Sequence, residues 1–274
     1  STPARVRQSD HALVQVRDVV FGYVKHRPVL RGVGFDIAPG EQVALVGRTG
    51  AGKSSLLHLV AGFYAPWAGS VHVMGVDPRA VDEDQRRRLV GVVPQTVHLF
   101  SGSIFDNLSL GDSGVTQSQV EAATHLVGMH AFVSSLARGY ATRLGGVGRG
   151  DGMQLSAGQQ QLLALARALI WDPRVILLDE ATSSVDSASD AIFRDALRRV
   201  VRERGKAVLT IAHRLSTARD ADRVLVLDHG RLIESGQPDQ LIGKGGRFAV
   251  MLELEASGWD WRPGAIVESG VPTR

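Results

Sequence analysis

The chain has no cysteine. That excludes a disulfide framework and any thiolate metal site, and it is compatible with a reducing compartment. No apolar run approaches the roughly 18–20 residues of a membrane span. The opening stretch Ser1–Asp10 is polar and lacks the apolar region of a secretion signal. Lysine is scarce, at positions 25, 53, 206 and 244 only. The formal net charge is +3, too small an excess to argue for a nucleic-acid partner. The basic runs Arg86–Arg88 and Arg198–Arg204 read as solvated helix faces. There is no internal repeat and no low-complexity tract. What remains is ordinary: 274 residues, 44% hydrophobic and 22% charged, enough for one large domain or a domain with an insert. The chain as given reads as soluble. It begins without Met, as a piece of a longer polypeptide does.

One stretch organises the rest. Gly47-Arg48-Thr49-Gly50-Ala51-Gly52-Lys53-Ser54 fits G-x-x-x-x-G-K-[ST], a phosphate-binding P-loop. The apolar strand pattern Gln42–Val46 precedes it and a helical pattern, Lys53–Ala61, follows. Such a loop points unpaired N–H groups and the positive end of a helix dipole at one place. Its glycines let backbone approach a phosphate closely. Lys53 puts a point charge on the outer phosphates, and the Ser54 hydroxyl suits Mg²⁺.

Along the chain, Ser1–Asp10 reads as a linker end. Ala12–Val16 and Val19–Val24 alternate like two paired strands, and Val33–Ile37, Val71–Val76 and Leu89–Val93 are further strands. Asp82–Arg88 is a short helix. From 96 to 170 strand patterns vanish, and helical patterns cover Gln117–Val127, His130–Ala137 and Gly158–Ile170. The strand pattern returns at Val175–Leu178, Ala207–Ile211 and Arg223–Leu227, with a hairpin at His229-Gly230 into Leu232–Glu234. Ala188–Arg204 is a helix whose expected apolar face is Ile192, Ala196, Leu197, Val200 and Val201. A short helix near Thr217–Arg219 and a last one over Phe248–Glu255 precede a loose tail, 257–274. The expected organisation is an α/β core over 11–95 and 171–256, with a helical subdomain over 96–170 inserted. Alternating strands and helices imply a mostly parallel sheet covered on both faces. Ligands in such sheets bind at the carboxyl ends of strands. Gly47, Gln95, Asp179 and His213 all fall just after strands, which points to one crevice.

Asp179 ends the strand Val175–Leu178, where an acid helps hold Mg²⁺. Glu180, one residue on, is placed to polarise an attacking water. Gln95 offers a donor and an acceptor to Mg²⁺ or that water. His213 suits a hydrogen bond to a terminal phosphate. Taken alone, Asp179-Glu180 reads as a strand-terminal turn, and His213 as a structural histidine. Leu155-Ser156-Ala157-Gly158-Gln159 opens a long helix, either as a plain cap or as a second anion site.

In this order and spacing, the motifs resemble the nucleotide-binding domain of ABC transporters, over roughly residues 12–256. Gly47–Ser54 is similar to its Walker A motif, and Val175–Glu180 to Walker B with the catalytic glutamate. Gln95 resembles the Q-loop glutamine and Leu155–Gln159 the LSGGQ signature. Ser183–Asp186 resembles the D-loop and His213 the switch histidine. Tyr23 is similar to the aromatic that stacks on adenine. The segments Thr210–Thr217 and Leu99–Ile104 with Asp106-Asn107 resemble the exporter forms.

The resemblance implies a P-loop NTPase (RecA-like) core with an antiparallel β subdomain and a helical insert. It implies ATP and Mg²⁺ as cofactors. Catalysis falls to Glu180, His213, Gln95 and Lys53, and the metal to Ser54, Gln95 and Asp179. Nucleotide contacts come from Tyr23, Gly47 through Ser55, Gln95 and Asp179, and across a head-to-tail dimer from Ser156, Ala157, Gly158, Gln159 and Asp186. The implied partners are a second such domain and the transmembrane part of an exporter, at the cytoplasmic face of a membrane. Two features depart from the family: Ala157 stands where a glycine is usual, and the loop Gly145–Gly152 has Arg149 and Asp151 but no glutamate. Rival readings are a soluble ATPase of the same family acting on DNA or the ribosome, and an importer subunit.

Overall fold

The computed structural model describes residues 11–145, 152–179, 187–212 and 214–257. The chain first runs through β1 (Val14–Phe21), β2 (Leu30–Ile37), β3 (Gln42–Val46), α1 (Lys53–Val60), β4 (Ala68–Val73), α2 (Glu83–Leu89) and β5 (Val90–Val93). A mainly helical run follows: a two-residue β6 (Gly102–Ser103), α3 (Ile104–Ser109), α4 (Gln117–Leu126), α5 (His130–Ser135), β7 (Arg143–Leu144) and α6 (Ala157–Leu169). The last part is β8 (Val175–Asp179), α7 (Ser187–Arg204), β9 (Ala207–Ile211), α8 (Leu215–Arg219), β10 (Arg223–Asp228), β11 (Arg231–Gly236), α9 (Pro238–Gly243) and α10 (Arg247–Ala256).

Six strands form the main sheet in the order β11-β10-β3-β9-β8-β5, parallel except for β11. A smaller antiparallel sheet has the order β2-β1-β4. Strand alternation sorts side chains between the two faces of the main sheet. Val43, Leu45, Val175, Leu177, Leu209 and Ile211 pack with α1 and the small sheet. Ile176, Leu178 and Val208 point the other way, against α3, α4, α6 and α7. Ala44 and Val46, also on that second face, meet α8 and α10. Each strand is therefore apolar on both sides, which is why the core strands read as continuous apolar runs. Among the described residues no helix is long and apolar enough to cross a membrane.

Four expectations need correction. Ala12–Val16 and Val19–Val24 are one strand, β1, not two. Its register against β2 and β4 shifts between Val16 and Val20, and Asp18 has φ 45, so a bulge breaks the alternation without ending the strand. The strand expected at Val71–Val76 lies at Ala68–Val73, because Met74 and Gly75 turn with φ 53 and 78. On α7 the apolar face turns through Phe193, which is 2% exposed, whereas Ile192 is 54% exposed. Ala196, Leu197, Val200 and Val201 are buried as expected. Strand structure also persists inside the helical run, where β6 and β7 pair over two residues each. The sequence reading omitted α3 and α9. The signal for α3 is present: Ser103 and Asp106 form a reciprocal capping box.

Candidate functional site

The carboxyl ends of four adjacent strands, β3, β9, β8 and β5, lie side by side. The P-loop leaves the first, Asp179 ends the third, and Pro94-Gln95 follows the last. Val93 is in register with Leu178, and Asp179 with Ile211, so these segments leave the sheet at one level. The structure thus brings Gly47, Gln95 and Asp179 to one edge. Glu180, Asp186 and His213 lie outside the described residues.

The P-loop is held by its own backbone. Lys53 is 6% exposed, and its Nζ donates to the carbonyls of Gly47 at 2.7 Å and Arg48 at 3.1 Å. The Ala51 N–H donates to Arg48 O at 3.0 Å, and the Gly230 N–H donates to Ala51 O at 3.1 Å. That last bond ties the loop to the β10–β11 turn. Gly47 is required by space: a Cβ there would lie 2.1 Å from the Leu227 carbonyl oxygen. The cap residue of α1 is Gly52, and no side chain caps the helix. The start of α1 therefore faces the loop without a side-chain cap, at a helix-dipole end that favours an anion. Thr49 and Gly50 line the exposed outer turn of the loop, and Ser54 is also exposed.

Asp179 is half-buried. Burial pushes its carboxyl above the ordinary carboxylate value, while the charges of His58 and Lys53 oppose that rise. Lys53 and Asp179 thus sense each other across the crevice. Among the described residues no three His, Cys, Asp or Glu side chains converge to hold a metal. The candidate set Ser54, Gln95 and Asp179 offers only oxygen ligands. It fits a hard ion such as Mg²⁺ that takes its remaining ligands from phosphate and water.

Tyr23 is 54% exposed, so it is not a core residue. Its ring meets Phe21 and Tyr64 edge-on at 5.1 and 5.4 Å. Its Oη lies 3.0 Å from Ser55 Oγ, which links the aromatic to the first turn of α1. Ser55 itself is buried.

The start of α6 lies on a different element. Ser156 Oγ accepts from the Gln159 N–H at 3.2 Å, and Gln159 Oε1 accepts from the Ser156 N–H at 2.9 Å. This is a capping box, so the cap reading of that stretch holds. It leaves the Ser156 hydroxyl proton and the Gln159 amide protons as donors. Ala157 is exposed. Gly158 is buried, and a Cβ there would lie 2.4 Å from Ser189 Cβ on α7. The packing explains why a methyl is tolerated at 157 and not at 158.

Sequence reasoning gave no role to two residues that hold the segment after Gln95. Asn107 is 0% exposed. Its side chain accepts from the Phe100 N–H at 2.8 Å and donates to the carbonyls of Phe100 and Ser103 at 2.9 and 3.0 Å. Arg167 of α6 donates to the Asn107 carbonyl at 2.9 Å, and burial lowers its pKa. A buried Asn cannot be told from a surface one by sequence alone.

A family model described as ABC transporter matches residues 30–183. The chain is 41% identical over 244 residues to the mycobactin import ATP-binding/permease protein IrtB of Mycolicibacterium smegmatis, covering 89% of this chain and 41% of that protein. It is 38% identical over 240 residues to the ATM1-type heavy metal exporter of Novosphingobium aromaticivorans, covering 88% and 38%. A solved structure of a bacterial Atm1-family ABC exporter with ATP bound superposes with a TM-score of 0.78 at 36% identity, covering 93% of this chain and 44% of that one. The chain thus spans about two-fifths of the length of these relatives.

Proposed function

This chain belongs to the ABC transporter family as its ATP-binding domain, and from that premise we propose that it is the ATP-hydrolysing motor of an exporter. The observation that carries the reading is the crevice at the carboxyl edge of the sheet. An uncapped α1, a buried Lys53 and a half-buried Asp179 converge there. ATP binds with its phosphates on the N–H groups of Gly50 through Ser55 and on Lys53, and its base against Tyr23. Ser54, Gln95 and Asp179 would hold Mg²⁺, which would supply charge neutralisation for the phosphates. Burial raises the Asp179 carboxyl above its ordinary value, and the charges of His58 and Lys53 pull it back toward the ionised form a metal ligand takes. Glu180 orients the water, with His213 and Gln95 completing the arrangement.

The start of α6 supports a second contact. Ser156 and Gln159 keep donors free of the capping box and lie on an exposed helix end. They reach the ATP of another such domain, packed head to tail, together with Asp186. ATP closes that pair and hydrolysis opens it. The motion passes to transmembrane helices, with this domain on the cytoplasmic face. The relatives are named as ATP-binding/permease proteins or exporters, which supports a membrane partner over nucleic acid. Their names include both import and export, so the direction of transport rests on the exporter-like segments of the sequence.

The test is turnover of Mg-ATP against protein concentration. A two-domain site gives a rate per molecule that rises with concentration. A constant rate per molecule, at full activity in a monomer, overturns it.

A further inference from the structure

Opposite the nucleotide crevice, at the amino-terminal end of the sheet, lies an open cleft of about 620 Å³. Its floor is apolar, with Leu89, Leu126 and Trp171 among its residues, and its rim carries Arg88, Arg174 and Arg204. The fold brings these arginines together from distant stretches. The Arg174 N–H donates to the Arg88 carbonyl at 3.3 Å, and the Ala207 N–H donates to the Arg174 carbonyl at 3.0 Å. Arg88 and Arg174 therefore precede two neighbouring strands, β5 and β8. Arg204 ends the helix that leads into the next strand, β9.

All three arginines are exposed, and none pairs with a carboxylate among the described residues. Elsewhere Arg17, Arg79, Arg86, Arg87, Arg194, Arg199 and Arg223 all do. The one acid in the lining, Asp172, is already engaged. It accepts from Nζ of Lys206, which is 2% exposed, at 2.7 Å. Three helices, α2, α6 and α7, end here, and their carbonyl ends carry roughly half a negative charge each. That offsets part of the three guanidinium charges and leaves the rim positive.

A concave apolar floor bordered by unpaired guanidiniums suits a ligand with an apolar stripe flanked by several carboxylates. We propose that this cleft docks an acidic amphipathic helix of a partner polypeptide, with leucine-like side chains on Leu89 and Trp171 and carboxylates on the three arginines.

The probe is a labelled synthetic helix with leucine on one face and glutamate on its flanks, with a twin carrying glutamine for glutamate. Fluorescence anisotropy against the whole chain measures both. The acidic helix should bind, weaken with added salt, and lose at least about tenfold in affinity to the triple variant Arg88→Glu, Arg174→Glu, Arg204→Glu. The milder triple change to Gln should give an intermediate loss. Arg86→Glu, whose native partner is Glu83 and which lies outside the cleft, should change nothing. Thermal melts and ATP turnover verify that each variant folds. Equal affinity for the neutral twin, equal affinity of the triple variants for the acidic helix, or binding to phosphatidylserine vesicles without binding to the helix would each overturn the proposal.

Discussion

The amino-terminal end of α1 carries no side-chain cap, whereas that of α6 is closed by a capping box. Both ends start with N–H groups that have no partner inside the helix, at the positive end of the same dipole. The first has no side-chain cap and holds its loop through backbone bonds and the buried Lys53. The second pairs the Gln159 N–H within the chain and keeps the side-chain protons of Ser156 and Gln159 for anything outside. A loop of the first kind depends on its ligand for part of its stability. A helix of the second kind is stable alone, so contact with a neighbour's ligand is an addition.

The largest break in this comparison is Lys53→Ala. It removes the charge at the uncapped end, and ATP turnover should fall on the order of 100-fold or more, as when a preorganised charge donor is lost. Steady-state turnover on a variant with a native melt decides it; unchanged turnover removes the P-loop assignment. Next comes the pair Gly158→Ala and Ala157→Gly. The first forces a methyl into Ser189 and should cost about 1–3 kcal/mol of stability by overpacking. The second frees an exposed position and should cost less than about 1 kcal/mol. Denaturant melts compare them, and equal costs would mean that Ser189 does not wall the helix start.

A smaller effect separates the two roles of Ser156. Ser156→Ala should lose about 1 kcal/mol from the missing cap. It should also lower the concentration-dependent part of ATP turnover, while ATP affinity of the dilute chain stays unchanged. A fall in dilute-chain affinity would place Ser156 in its own nucleotide site instead. The smallest effect concerns Asp179. Its raised pKa means that the folded state holds the proton more tightly than the unfolded one. Stability is then lost as pH rises from the ordinary value of 3.8 through the folded value. Without nucleotide, Asp179→Asn should be more stable than the native chain at neutral pH, and the difference should shrink as pH falls from the folded value to 3.8. A difference that grows on acidification contradicts the shift.

Much of this was readable from residues alone, for a physical reason. A P-loop is a local device, and its glycines, lysine and serine sit within a few positions of each other. The core strands β3, β8 and β9 announce themselves because both of their faces are buried. The cap of α6 is likewise local, spanning Ser156 to Gln159. The bulge in β1 was missed because a shifted residue breaks the alternation that marks a strand. The face of α7 was misread because Ile192 and Phe193 are both apolar, and only the neighbours choose between them.

The sequence by itself determined the phosphate loop, the alternation that makes a doubly covered sheet, and the motif order that places the chain in its family. Periodicity reports which face of an element is apolar, and short motifs report chemistry within one turn or loop. Neither reports what lies opposite. Only the tertiary structure decided that Gly158 abuts Ser189, that Asn107 is buried against the backbone of Phe100 and Ser103, and that Arg88, Arg174 and Arg204 share one cleft. The strand order β9-β8-β5 sets those arginines side by side, and that order arises from long crossovers that no local pattern encodes.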